Sequence, residues 1–143
     1  MKQKLHTTPQ DRSTLSFYKY AHVDDPAYWR DQLYIGLSAL ETLGRIYIAT
    51  EGVNAQVSVP RSRVDEFRKY IDSIPFLTGV RLNFAVEDNG RSFFKLKIVV
   101  KKKILADGLD DSTFDVTQTG PHVDAREFNR LADDPNTIIV DMR

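Results

Sequence analysis

The sequence contains no cysteine. That excludes disulfides, thiolate metal sites and a thiol nucleophile within the chain, and it fits a reducing compartment. Histidine is scarce as well. His6, His22 and His122 lie far apart and show no ligand spacing, so no metal is expected. No apolar run approaches the ~18–20 residues that span a bilayer, so no membrane partner is expected. The opening MKQKLHTTPQDRST is polar and lacks the apolar segment of a secretory signal. P-loop, GxSxG and HExxH patterns are missing too, which removes the common phosphate-cradle, serine-hydrolase and zinc-hydrolase signatures.

Net charge is another absence, because 20 Lys and Arg balance 20 Asp and Glu over 143 residues. The balance hides an asymmetry. Residues 1–106 carry 17 basic against 11 acidic groups, and residues 107–143 carry 3 against 9. Halves of opposite sign suggest two units with different partners, or a solvated acidic tail. The chain has the length of one ordinary domain with a fragment of another, and a 41% apolar fraction can support a core.

The stretch around which the chain is organised is residues 45–60, RIYIATEGVNAQVSVP. Ile46/Ile48 and then Val53/Ala55/Val57/Val59 alternate, with Thr50-Glu51-Gly52 between them, which predicts a β-hairpin with Gly52 at the reversal. Asn54, Gln56 and Ser58 form a row of uncharged hydrogen-bonding groups on its other face.

Residues 1–13 read as a flexible arm and 14–22, TLSFYKYAH, as the first strand. Asp24-Asp25-Pro26 opens a helix whose stripe is Trp29, Leu33, Leu37, Leu40 and Leu43, with Gly44 as its C-cap. After the hairpin, residues 62–73 form a second helix, with Ser62 and Asp65 as a capping pair and Val64, Phe67, Ile71 and Ile74 inward. Residues 81–86 predict a strand with Leu82, Phe84 and Val86 inward, and Asp88-Asn89-Gly90 a hairpin turn. Residues 92–105 predict a long strand, with Phe94, Leu96, Ile98 and Val100 on one side and Phe93, Lys95, Lys97, Val99 and Lys101 on the other.

Residues 107–119, rich in Asp, Gly and Thr, read as a linker. Residues 123–132 predict a short helix capped by Asp124, and 137–142, TIIVDM, an apolar strand without a partner. The fold class is therefore α+β: a ferredoxin-like, acylphosphatase-like βαββαβ antiparallel sheet with two helices on one face and an additional C-terminal strand. The helices cover Leu15, Phe17, Ile46, Ile48, Val57, Leu82, Phe84, Leu96 and Ile98. The other face stays open.

That open face collects Tyr18, Tyr20, Asn54, Gln56, Arg81, Asn83, Phe93, Lys95 and Lys97, followed by Lys101, Lys102 and Lys103. Rings that stack on bases beside cations that hold phosphates suit single-stranded nucleic acid. Residues 91–103 hold six basic residues and no acid. Two other readings stand beside this one: a face that docks another domain, and an edge strand charged against aggregation. A hydrolase of the acylphosphatase type fits less well, because the loop at 21–26 has neither glycine nor arginine. Glu51 is a candidate general base without a visible partner, Asn54 a water-orienting group or a plain hydrogen-bonder. Asp24/Asp25 and Asp110/Asp111 read as cap and linker residues.

SFYKY at 16–20, EGVNAQVSVP at 51–60, SFFKLKIVVKKKIL at 92–105 and IIVDMR at 138–143 together resemble the bacterial rhodanese-domain tRNA uridine-34 5-hydroxylase family. The resemblance runs in register from Ser16 to the end. It implies an N-terminal ferredoxin-like domain at 14–106, a linker at 107–120 and the truncated start of a rhodanese domain at 121–143. It further implies oxygen-dependent hydroxylation of the wobble uridine, in the cytoplasm, with the anticodon region of tRNA and the protein's own rhodanese domain as partners. The family's reactive cysteine belongs to the rhodanese loop, so this chain alone is expected to be inactive and to hold no catalytic residue. Neither the residues nor the resemblance identifies a cofactor. The expected RNA contacts are Tyr18, Tyr20, Asn54 and Gln56 to bases, and Arg81, Lys95, Lys97, Lys101, Lys102 and Lys103 to phosphates.

Overall fold

A computed structural model of the chain describes residues 11–86, 93–104 and 117–141. Its five strands are β1 (Arg12–Tyr20), β2 (Leu43–Ala49), β3 (Gly52–Pro60), β4 (Asn83–Phe84) and β5 (Leu96–Val100), and its helices are α1 (Pro26–Ala39), α2 (Val64–Ser73) and α3 (Ala125–Ala132). The sheet order is β4-β1-β3-β2-β5. β1 to β4 pair antiparallel, and β5 joins the outer side of β2 in parallel. The expected βαββαβ arrangement with an added strand is present, except that the added strand makes the sheet mixed.

The alternation resolves as expected in the three central strands. Leu15 lies opposite Val57, Phe17 opposite Ala55, Ile46 opposite Ala55 and Ile48 opposite Val53, and all are buried. Leu33, Leu37 and Leu40 at α1, with Phe67 and Ile71 of α2, belong to the same core. Phe67 meets Phe17 edge to face at 6.3 Å. Each such large side chain removed from water stabilises the fold by about 1.5–3 kcal/mol.

Local chemistry sets the element ends. Pro26 stands in the first turn of α1, where its missing N–H costs nothing, and the Asp25 carboxylate accepts from the Tyr28 N–H at 3.0 Å. Gly44 is not the C-cap. α1 stops at Ala39, Glu41 takes the left-handed turn with φ 54°, and Leu43 and Gly44 belong to β2. α2 is entered through a 3-10 turn, Arg61–Arg63, and no side chain caps it, so the Ser62–Asp65 pair does not act as expected. Asp124 does cap α3, accepting from the Glu127 N–H at 2.8 Å.

Three expected strands differ. β4 has two residues rather than six, so Leu82 is only half-buried, Phe84 is exposed and Val86 is fully exposed. β5 covers only the middle of the stretch 92–105, which leaves Phe94 93% exposed instead of inward. β4 and β5 also lie at opposite edges, so the turn signal at 88–90 does not join paired strands. Those turn residues fall outside the described ones, as do 1–10, 105–116 and 142–143. Most of the linker at 107–119, including Asp110 and Asp111, lies there too. Residues 137–141 form no strand, and Ile138, Ile139 and Val140 are exposed, because no described strand pairs with them.

The hairpin turn is tight. Ala49 pairs with Gly52 across Thr50 and Glu51, and Gly52 has φ 146°. A Cβ on Gly52 would lie 2.1 Å from the Lys19 carbonyl oxygen of β1. Gly52→Ala is therefore expected to cost about 2–4 kcal/mol through backbone strain and overpacking. Urea denaturation checks this, and a loss below ~1 kcal/mol would contradict it.

Candidate nucleic-acid interface

On the side away from the core, the pairing register sets residues into ranks that cross the sheet. One rank reads Asn83–Ser16–Gln56–Arg45–Lys97 from β4 to β5. The next reads Tyr18–Asn54–Tyr47–Val99 across β1, β3, β2 and β5. Neighbours within a rank are one strand spacing apart, ~4.8 Å, and the two ranks are separated by two residues, ~7 Å. Asn83, Gln56, Arg45 and Lys97 are exposed, and Tyr18 is 63% exposed. α1 and α2 pack on the opposite side of the sheet, against the core.

Charge on this face has one sign. The outward strand positions among the described residues carry Arg12, which is buried against Ser58, together with the exposed Arg45 and Lys97, and no carboxylate. Lys95 precedes β5, where its carbonyl accepts from the Gly44 N–H at 3.0 Å, and Lys101 follows it, its N–H bonded to the Ile48 carbonyl at 2.8 Å. The Lys101 ammonium lies 5.2 Å from the centre of the Tyr47 ring, a cation–π contact that ties the end of β5 to the aromatic rank.

The sequence candidates divide into two groups. Tyr18, Asn54, Gln56, Asn83 and Lys97 share the outward face in register, with Tyr20 at the end of β1 opposite Gly52. Lys95 and Lys101 flank β5. Arg81 is exposed but precedes β4, Phe93 is half-buried ahead of β5, and Lys102 and Lys103 lie past its end, with Lys103 half-buried. Ser58, expected to face outward, is buried beneath Arg12. Arg45 and Tyr47 are the additions. Neither is among the sequence candidates, although the Ile46/Ile48 alternation already places both outward.

Other chemistry finds less support. The Glu51 carboxylate accepts from the Ile104 N–H at 2.7 Å, so it secures the chain after β5 rather than standing ready as a base. In the loop after β1, the Ala21 and Val23 N–H groups donate to the Glu51 and Thr50 carbonyls, so they are not free to cradle a phosphate. Among the described residues no cluster of three His, Cys, Asp or Glu side chains is arranged to hold a metal. A groove of about 290 Å³ runs between α1 and β5, lined by Arg30, Asp31, Tyr34, Leu96, Lys97 and Ile98. Arg30 Nε donates to Asp31 at 2.8 Å, and this hydrogen bond holds the Asp31 carboxyl below its ordinary range. The groove thus adds no net cation to the face.

The family described as the UPF0176 acylphosphatase-like domain matches residues 12–104. A "tRNA uridine(34) hydroxylase" of Pectobacterium carotovorum subsp. carotovorum (strain PC1) is 48% identical over 144 aligned residues, covering 100% of this chain and 41% of that protein. The protein of the same name from Escherichia coli (strain SE11) is 46% identical over the same coverage. The chain thus spans about 41% of the length of these relatives. Among solved structures, "BlrB - a BLUF protein, dark state structure" aligns with a TM-score of 0.48 at 17% identity, over 66% of this chain and 76% of that one. The chain belongs to the UPF0176 family and carries its acylphosphatase-like domain at residues 12–104.

Proposed function

We propose that this chain is the tRNA-engaging part of an oxygen-dependent tRNA uridine-34 5-hydroxylase acting in the cytoplasm. Its ferredoxin-like unit, 14–106, holds the tRNA, and a linker at 107–120 leads to the start of a rhodanese domain at 121–143. In this reading a rhodanese-type cysteine carries the oxidative chemistry, and the chain, having no cysteine, contributes binding and orientation. The name shared by relatives at 46–48% identity supports the substrate class. No described helix is long and apolar enough to cross a membrane.

The observation that carries the reading is the outward face itself: Tyr18 and Tyr47, the amides Asn54, Gln56 and Asn83, and the exposed cations Arg45 and Lys97 in register, without a carboxylate among the described strand positions. Cations there neutralise phosphates, and the amides and rings meet bases. Tyr18, Tyr20, Asn54 and Gln56, joined by Tyr47, meet bases, and Arg45, Lys95, Lys97 and Lys101 meet phosphates, with Arg81, Lys102 and Lys103 reaching phosphates at the margins. Filter binding of tRNA to the 143-residue chain tests this. Saturable binding at ~50 mM salt is expected from the electrostatic contacts. No binding at that salt would overturn the reading and leave the face to the docking of another domain.

A further inference from the structure

The aromatic rank has a geometry that selects among nucleic acids. Tyr18 and Tyr47 flank Asn54 on neighbouring strands, which puts the two tyrosines two strand spacings apart, about 10 Å. That is too far for the rings to stack on each other or to sandwich a single base, so each presents its own face to a separate base. Asn54 lies between them, and its amide supplies both a donor and an acceptor. The neighbouring rank, ~7 Å away along the strands, supplies Gln56, Arg45 and Lys97.

We propose that Tyr18, Asn54 and Tyr47 form a two-base platform that takes an unpaired stretch of RNA. Each ring stacks one base, Asn54 bonds to the base edges between them, and the phosphates follow Arg45 and Lys97 of the neighbouring rank. This rests on the reading of the face as a tRNA surface and narrows it to a loop or other single-stranded segment. A duplex keeps its bases stacked inside and offers the rings nothing to cover. Lys101 belongs to the same device. Its ammonium lies over the Tyr47 ring, so a base arriving on that ring displaces it toward the backbone of the same nucleotide.

Fluorescence anisotropy with two probes tests the platform on the 143-residue chain. One probe is an eight-nucleotide oligouridylate, and the other is a ribose-phosphate oligomer of equal length without bases. Tyr18→Ala and Tyr47→Ala are each expected to weaken oligouridylate binding by about 5- to 150-fold, the range for one lost base–ring stack. The baseless oligomer is expected to bind both variants as it binds the native chain. Tyr18→Phe and Tyr47→Phe keep the ring and are expected to retain oligouridylate affinity, which separates stacking from a folding defect. Alanine variants that bind oligouridylate at native affinity, or lose both probes equally, would overturn the platform while tRNA binding by the native chain still upheld the tRNA surface. A native chain that binds neither probe nor tRNA would overturn both.

Discussion

Raising salt from about 50 to about 200 mM is expected to weaken tRNA binding roughly 900-fold in the native chain, but only about 130-fold once Arg45 and Lys97 are alanine. The figures follow from counterion release. Arg45, Lys95, Lys97 and Lys101 lie within or flank β2 and β5 on the outward face, and Arg81, Lys102 and Lys103 stand at its margins. Phosphate contacts from about seven cations on a single strand give a slope near −4.9 in log affinity against log salt, and about five give roughly −3.5. The double variant should also bind more weakly at the low salt. Both side chains are exposed, so their loss should leave the fold unchanged by thermal melting. An unchanged slope in the double variant would show that phosphates bind elsewhere.

The second large effect concerns stability. Arg12 is 6% exposed at the start of β1, and its fork reaches three acceptors. Nε donates to Ser58 Oγ at 2.9 Å, and Nη2 donates to the Ser58 carbonyl at 2.7 Å and the Glu41 carbonyl at 2.6 Å. The residue thus joins the first strand, the end of β3 and the left-handed turn after α1. Arg12→Leu removes the donor of all three hydrogen bonds, at an expected cost of about 2–4 kcal/mol. That is a large share of the ~5–15 kcal/mol typical of a domain. The urea midpoint should fall with the slope unchanged. Arg12→Lys should recover less than half, because an ammonium cannot serve the same fork geometry. A Leu variant within ~1 kcal/mol of native would show that the three bonds are matched by water.

Arg12 also illustrates what the sequence hides. Set in a polar opening stretch, it reads as part of an arm, yet β1 begins there, two residues ahead of the expected start. Only the tertiary placement of Ser58 and Glu41 gives it partners. By contrast, alternation was sufficient to sort Leu15, Phe17, Ile46, Ile48 and Val57 into the core and Tyr18, Asn54 and Gln56 onto the open side. Period-2 patterning reports faces because a pleated strand has only two.

Patterning does not report partners. Asp88-Asn89-Gly90 is a local signal, while the edge a strand joins depends on which apolar surface remains to be covered. Leu96 and Ile98 pack against the core beside β2, at the edge opposite β4. The strands are also shorter than their alternation. The alternation of residues 81–86 and of Phe94 continues beyond the paired segments, and Val86 and Phe94 stay outside. Arg45 and Tyr47 were legible in principle from the hairpin pattern. Their significance lies in the register, which sets them beside Gln56 and Asn54.

The most direct test is a map of backbone amide shifts as tRNA is added to the 143-residue chain. The account predicts changes along Ser16, Tyr18, Asn54, Gln56, Arg45, Tyr47 and Lys97, with the outer faces of α1 and α2, such as Ile35 and Lys69, silent. Shifts concentrated on the helices, with those seven amides unmoved, would contradict it.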